Sequence, residues 1–291
     1  MPSLAVRRGG VGHEHETKRP DDPSSTTDHP STHSLVARKE NAKIMKPDAL
    51  KLAEYARNIL QLKTASLSPA YYYQSMPICI VDAVFSIGVR YEQVEGVVSR
   101  LSQAVGWKTF RDYGSPTPPL NEQKTVSEFL ELLKGYSSAM ETLFKNRCFA
   151  NPGASKASRI RKADLVRMFA ETLKANQVES FKDLGPCADL KGLEQCLLRL
   201  PALKTGVAVR YFWMLAGDEN EVKPDRMIHR FITGALGRVA SNAEAVKLIR
   251  EACVALNHDY PKLNPRILDH EIWKHQRTQC GIGSGRSRKQ I

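Results

Sequence analysis

The stretch "DLKGLEQCLLRLPALKTGVAVRYFWMLAG", residues 189–217, decides how this chain is read. Leu193, Cys196, Leu197 and Leu200 recur at the three- and four-residue spacing of one buried helical face. Pro201 disfavours the α conformation for the residue before it and so ends that helix. After the short segment "ALKTG" a second helix begins, with Tyr211, Phe212, Met214 and Leu215 as its apolar content. It closes at Gly217. The loop "DENEVKP" then leads into "DRMIHRFITGAL", with Asp225 at the head of a third helix. Aspartate is a favoured helix cap, because its carboxylate accepts hydrogen bonds from the first backbone N–H groups. A capping role and a catalytic role for Asp225 are compatible.

Outward from this unit the periodicity is helical nearly throughout. "DALKLAEYARNIL" repeats apolar residues at helical spacing, and "ICIVDAVFSIGVRYEQVEGVVSRLSQAVG" reads as a buried helix, a turn near Gly88 and a second, amphipathic helix. "TVSEFLELLKGYSSAMETLF" gives another, and "KADLVRMFAETLKANQV" places Leu165, Phe169 and Leu173 on one face. "SNAEAVKLIREACVAL" opens with Ser241 and Glu244 at capping-box spacing. No run alternates as a strand, so the expected fold class is all-α. The Pro-rich link "GSPTPPL" at 114–120 is a candidate divide between two lobes.

Residues 1–45 carry little to bury and are expected to be disordered; "RPDDPSSTTDHPSTHS" is rich in Pro, Ser, Thr and Asp. The expected globular part is 46–279, followed by a flexible basic tail at 280–291 with Arg286, Arg288 and Lys289. A net charge of +12 favours a polyanionic partner, since clustered cations displace counterions from phosphates. The six cysteines are scattered, without a CxxC pair, and point to no zinc or iron–sulfur site. His13, His15, His29 and His33 read as solvated tail residues. His270 and His275 in "DHEIWKH" are five apart and do not share the helical face that a zinc-binding HExxH needs. No metal and no cofactor are expected. Neither a signal peptide nor a bilayer-length apolar run is legible, so the expectation is an intracellular protein, cytoplasmic or nucleoid-associated, and monomeric.

The order of these motifs resembles the helix-hairpin-helix superfamily of DNA glycosylases, the group that includes endonuclease III. Leu200 and Pro201 match the start of that family's "LPGVGxKTA" hairpin, while Asp225 and Arg230 match the aspartate and arginine of "VDTHVxR". "FSIGVRYEQVEGVVSRL" is similar to the family's "LSxQTSDKAVxxA" helix pair, and "FKDLGPCADLKGLEQCLLRLP" to the segment leading into the hairpin. The resemblance covers about residues 76–275. It implies a protein that binds duplex DNA and removes a damaged or modified base by hydrolysing the N-glycosidic bond, with Asp225 as the catalytic carboxylate. It also implies that Lys204, Thr205 and Gly206 meet a DNA phosphate and that Arg230 contacts DNA.

Three departures shape the expectation. Ala202 and Lys204 stand where the hairpin has glycines, which let backbone amides approach a phosphate closely. Gly206, or Val207 with a shifted loop insertion, stands where bifunctional members carry a Schiff-base lysine, so base removal without strand cleavage is implied. The cysteines of the family's iron–sulfur cluster are missing. The alternative reading is a catalytically inactive DNA-binding module of the same fold.

One further group is a candidate on the residues alone, and a second follows from the resemblance. Lys156, Arg159, Arg161, Lys162 and Arg167 in "KASRIRKADLVR" form a cluster able to grip a phosphate backbone. Tyr71, Tyr72, Tyr73 and Trp213 are candidate walls for a pocket that receives an extruded base.

Overall fold

The computed structural model describes residues 46–112, 117–136, 143–185 and 188–283, with side chains as far as Gln279. The segment 1–45, much of the Pro-rich link and the side chains of the basic tail lie outside the described residues. Among those described, ten helices and no strand are present, and the fold is all-α. They are α1 (Pro47–Ile59), α2 (Met76–Phe85), α3 (Tyr91–Val105), α4 (Val126–Lys134) and α5 (Lys162–Ala175). The chain continues through α6 (Leu190–Leu198), α7 (Val207–Ala216), α8 (Arg226–Leu236), α9 (Asn242–Leu256) and α10 (Pro265–Gly283). The last helix runs beyond residue 280, where a tail was expected. Gly281 keeps its N–H, so it weakens a helix by only about 1 kcal/mol and does not end it.

Two apolar cores organise these helices. The first is built from α2 to α7 around α2, every residue of which is buried. Phe85 meets Phe144 at 5.1 Å between ring centroids, and Phe169 meets Phe212 at 4.9 Å. Leu165, Phe169 and Leu173 all face this core. The second core joins α1 to α8, α9 and α10, with Leu52, Phe231, Ile249 and Leu256 at its centre. Helix α1 lies against α8 closely enough that a Cβ on Gly234 would sit 3.1 Å from the Tyr55 hydroxyl.

The division therefore does not fall at the Pro-rich link. Helices α3 and α4, on either side of it, bury residues in the same core. It falls where the chain passes from α1 to α2 and again from α7 to α8. The first helix is thus completed by the last three.

Lys162 was expected to face DNA, and the structure places it inside instead. It is 1% exposed, and its amine donates to the carbonyls of Phe85 at 2.9 Å and Ile87 at 2.6 Å. Those carbonyls close the C-terminal end of α2, where the helix dipole is negative and the last C=O groups lack helical partners. Burial lowers the lysine's pKa to about 8. Lys162→Met is expected to lose about 1–3 kcal/mol in urea unfolding, the cost of leaving buried carbonyls unpaired. Lys156→Ala, at an exposed position, should unfold like the wild type.

Candidate functional site

The helix–link–helix unit is built from α6 inward. Leu193 and Leu197 bury one face of that helix, and Leu203, fully buried in the link, anchors the turn. Lys204 and Thr205 stand exposed at its crest. Two residues there take left-handed backbone conformations, Ala202 at φ 66° and Gly206 at φ 75°. Glycine does so without penalty, whereas an alanine Cβ is strained in this region. The N–H of Gly206 donates back to Leu203 O at 2.9 Å, so this amide is occupied within the turn. Among the described residues, the N–H groups of Lys204 and Thr205 have no protein acceptor.

The crest is tied to α8, the helix that Asp225 heads. Asn242 donates from Nδ2 to Thr205 O at 3.1 Å, and its Oδ1 lies 2.8 Å from Nε2 of His229. Asp225 itself is half-buried and caps α8: Oδ1 accepts from Met227 N at 2.8 Å and from Ile228 N at 3.4 Å. Its Oδ2 takes no hydrogen bond among the described residues. Arg230 lies exposed one turn further along the same helix.

The loop before Asp225 is held from several sides. Glu221 accepts from Arg210 of α7 at 2.8 Å and from Arg250 of α9 at 2.6 Å, binding the two cores across the loop. Arg266 N donates to Glu219 O at 3.1 Å, and Lys223 N donates to Asp269 Oδ2 at 2.9 Å. Asp269 thus anchors backbone. Burial first, and the Asp225 charge second, hold its pKa well above the usual carboxylate range.

Beneath this loop lies a polar cluster that sequence reasoning missed. Asp82, at 0% exposure inside α2, accepts from Tyr73 Oη at 2.7 Å and from Tyr211 Oη at 3.3 Å, both on Oδ2. Its Oδ1 is buried without a partner. Burial raises the Asp82 pKa to about 6 against the opposing hydroxyls and the Lys223 charge. The amine of Lys223 sits 3.5 Å from the centroid of the Tyr211 ring and 3.4 Å from Ser86 Oγ. A signal for Asp82 did exist, as the one acid in the apolar run "ICIVDAVF". Nothing local marks Lys223.

Of the four aromatic candidates, three gather here. Tyr73 binds Asp82. Tyr71 packs edge-on against His270 at 4.5 Å, and Tyr72 lies between the guanidiniums of Arg111 and Arg266 at 5.2 and 5.3 Å. His270 is held to a pKa of about 4, by burial first. Trp213 instead packs against Phe212 in the first core. Two surface hollows of about 150 and 410 Å³ lie elsewhere, one beside Arg238 and Glu244, the other between α5 and α6.

The basic segment 145–161 is a folded loop. Ala150 N donates to Ile160 O at 2.9 Å, and Lys162 N to Cys148 O at 3.0 Å. The guanidiniums of Arg159 and Arg161 lie over the Phe149 ring at 5.7 and 5.0 Å. Lys156 and Arg159 are exposed and Arg161 is half-buried. Arg167 turns inward, donating to Leu133 O at 3.1 Å. Among the described residues no group of His, Cys, Asp and Glu is arranged to hold a metal ion. None of their helices is long and apolar enough to cross a membrane.

These features define an all-α protein with two cores, a helix–link–helix unit and a buried carboxylate–tyrosine cluster where the cores meet. The model of the family described as "Domain of unknown function (DUF8548)" matches residues 50–277, and the chain belongs to that family. The match runs from α1 into α10 and includes every residue of the cluster. No curated protein and no solved structure matches the chain.

Two outcomes are expected. Ala202→Gly should stabilise the protein by up to about 1 kcal/mol in thermal or urea unfolding, as strain is relieved and unfolded-state entropy partly offsets it. Asp82→Asn keeps an acceptor for both tyrosines. Because the folded pKa is raised, the cost of ionising Asp82 is absent below the unfolded value near 4 and is fully present above about 6. The variant should match wild type near pH 4 and exceed it at pH 7 by up to about 3 kcal/mol, measured by unfolding at both pH values.

Proposed function

We propose that this protein is a DNA N-glycosylase of the helix-hairpin-helix type, removing a damaged or modified base by hydrolysis, with Asp225 as the catalytic carboxylate. The observation that carries the reading is the disposition of that residue. One oxygen is fixed by the first turn of α8 while the other has no hydrogen-bond partner among the described residues, and the same helix is tied through His229 and Asn242 to the exposed crest of the link.

Departure of the base builds positive charge on the sugar. A carboxylate fixed by one oxygen can stabilise that charge with the other and orient the attacking water. The dipole of α8 favours negative charge at this position. The base must first leave the stack. On this reading the amides of Lys204 and Thr205 hold a phosphate at the hairpin, with Gly206 supplying the turn and the Lys204 ammonium adding charge. Lys156, Arg159, Arg161 and Arg230 contact the backbone around it. The partner is duplex DNA.

One observation favours a second reading, a catalytically inactive DNA-binding module. Neither of the two hollows described above has Asp225 in its lining, and the amine of Lys223, two residues before it, lies against the Tyr211 ring.

Base release from a panel of lesion-bearing duplexes tests both readings. Asp225→Asn preserves the helix cap, since asparagine caps as well as aspartate. The glycosylase reading expects release by wild type, reduced by about 100-fold or more in the variant with binding retained. Binding by both proteins without release from any duplex supports the inactive module. Absence of binding overturns both.

A further inference from the structure

Tyrosines gather around Asp82, and one line of them leads outward to a half-buried tryptophan. Tyr73 and Tyr211 donate to the same oxygen of Asp82, at 2.7 and 3.3 Å, while the other oxygen has no partner among the described residues. A side-chain hydrogen bond joins Tyr73 to Tyr91. The Tyr91 ring meets Trp273 edge-on at 5.7 Å, and Tyr71 stacks on Tyr91 at 6.3 Å. Tyr73 is 3% exposed, whereas Trp273 reaches the surface, with the Arg277 guanidinium 5.0 Å from its ring. Aromatic side chains therefore run in contact from the surface to a buried carboxylate.

We propose that Tyr73 is a redox-active tyrosine, passing one electron through Tyr91 and Trp273 to an outer-sphere one-electron oxidant at the surface and its proton to Asp82. The oxidant takes an electron from the Trp273 indole and is itself reduced by one electron. An electron from Tyr73 refills the indole by way of Tyr91. As it leaves, the phenolic O–H bond breaks and the proton crosses the 2.7 Å hydrogen bond to Asp82 Oδ2. The products are a neutral Tyr73 radical, a protonated Asp82 and an intact Trp273. A phenol that has lost an electron is a strong acid, so the step needs a base already in hydrogen-bond contact. Asp82 meets that need: burial raises its pKa to about 6, which leaves it ionised at neutral pH yet more basic than an ordinary carboxylate. Electrostatics set the direction. The Arg277 charge opposes positive charge resting on Trp273, while the Asp82 carboxylate favours it at Tyr73. Tyr211 is the poorer donor, because its hydroxyl is further from Asp82 and the Lys223 amine lies 3.5 Å from its ring centroid.

The test uses the full chain, photo-oxidised ruthenium tris-bipyridine as the oxidant, and freeze-quench electron paramagnetic resonance. Wild type is expected to give a neutral tyrosyl signal that outlives those of solvent-exposed tyrosines, which decay by surface reactions. Tyr73→Phe keeps the ring and should abolish the long-lived signal. Asp82→Asn keeps an acceptor for both hydroxyls but takes up no proton at neutral pH, and should lower the signal by about tenfold or more. Trp273→Phe should slow its appearance by about tenfold or more. Tyr211→Phe should retain it. Each variant is first shown to melt cooperatively, and Trp273→Phe decides if either interior variant fails to fold. An undiminished signal in Tyr73→Phe or Asp82→Asn, its loss in Tyr211→Phe, or an unchanged rate in Trp273→Phe overturns the proposal. Absence of a long-lived radical in wild type also overturns it and leaves Tyr73 and Asp82 as a structural hydrogen bond only.

Discussion

The loop from Asp218 to Asp225 is the constraint on which the rest of this structure turns. It is the second crossing between the two apolar cores, and its backbone is non-helical, so most of its polar groups need partners from elsewhere. They come from every side: Arg210 and Arg250 on Glu221, Arg250 on Asn220 O, Arg266 on Glu219, and Asp269 on the Lys223 amide. Because α7, α9 and α10 all reach into this one loop, the position of Asp225 is set by three helices and its own cap. A carboxylate held this way has little freedom to follow a ligand, which is the condition under which a charged group stabilises a transition state without reorganising.

The polar cluster under the loop runs against the usual economy of a folded interior. A buried carboxylate with one bare oxygen and a half-buried lysine with one weak acceptor both raise the free energy of the native state. Neighbouring apolar packing is ample enough to carry them. Lys162 shows what an energetically settled buried lysine looks like in this fold, with short contacts to the last carbonyl of α2 and to one in the turn after it. The contrast between the two is internal to the molecule and needs no outside standard.

Much of the fold was legible because helical periodicity depends only on a residue's near neighbours. Leu165, Phe169 and Leu173 were read as one face and are buried together, Pro201 lies just past the end of α6, and the turn at Gly88 separates α2 from α3. Capping was legible at Ser241, which accepts from Glu244 N as the spacing suggests, while the Glu244 carboxylate also pairs with Arg238. Asp225 was legible as a cap because Pro224 and an apolar-periodic run frame it. Partnership was not legible. Periodicity says that a helix has an apolar face and does not say which helix covers it, so the pairing of α1 with α8 and α9 and the assignment of the Pro-rich link to a single core needed three dimensions. For the same reason Lys162 read as one more cation in a basic run. Its neighbours in sequence are solvated, and the carbonyls that draw it inward belong to α2.

The division of the two cores has a consequence for how the chain is made. The first core uses α2 to α7, a continuous stretch, so its contacts can close as soon as that stretch has left the ribosome. Helix α1 emerges earlier and waits longest. Its apolar face, with Ala49, Leu52, Ala53 and Ala56, has no cover until α8 and α9 have been synthesised. Closing so long a loop adds only a modest entropic cost, since that cost grows with the logarithm of length. The exposure in the meantime is the greater hazard, because uncovered apolar surface on a nascent chain invites association with other chains. The short amphipathic α1, with Lys51, Glu54 and Arg57 on its outer side, is the part of this protein most dependent on being finished.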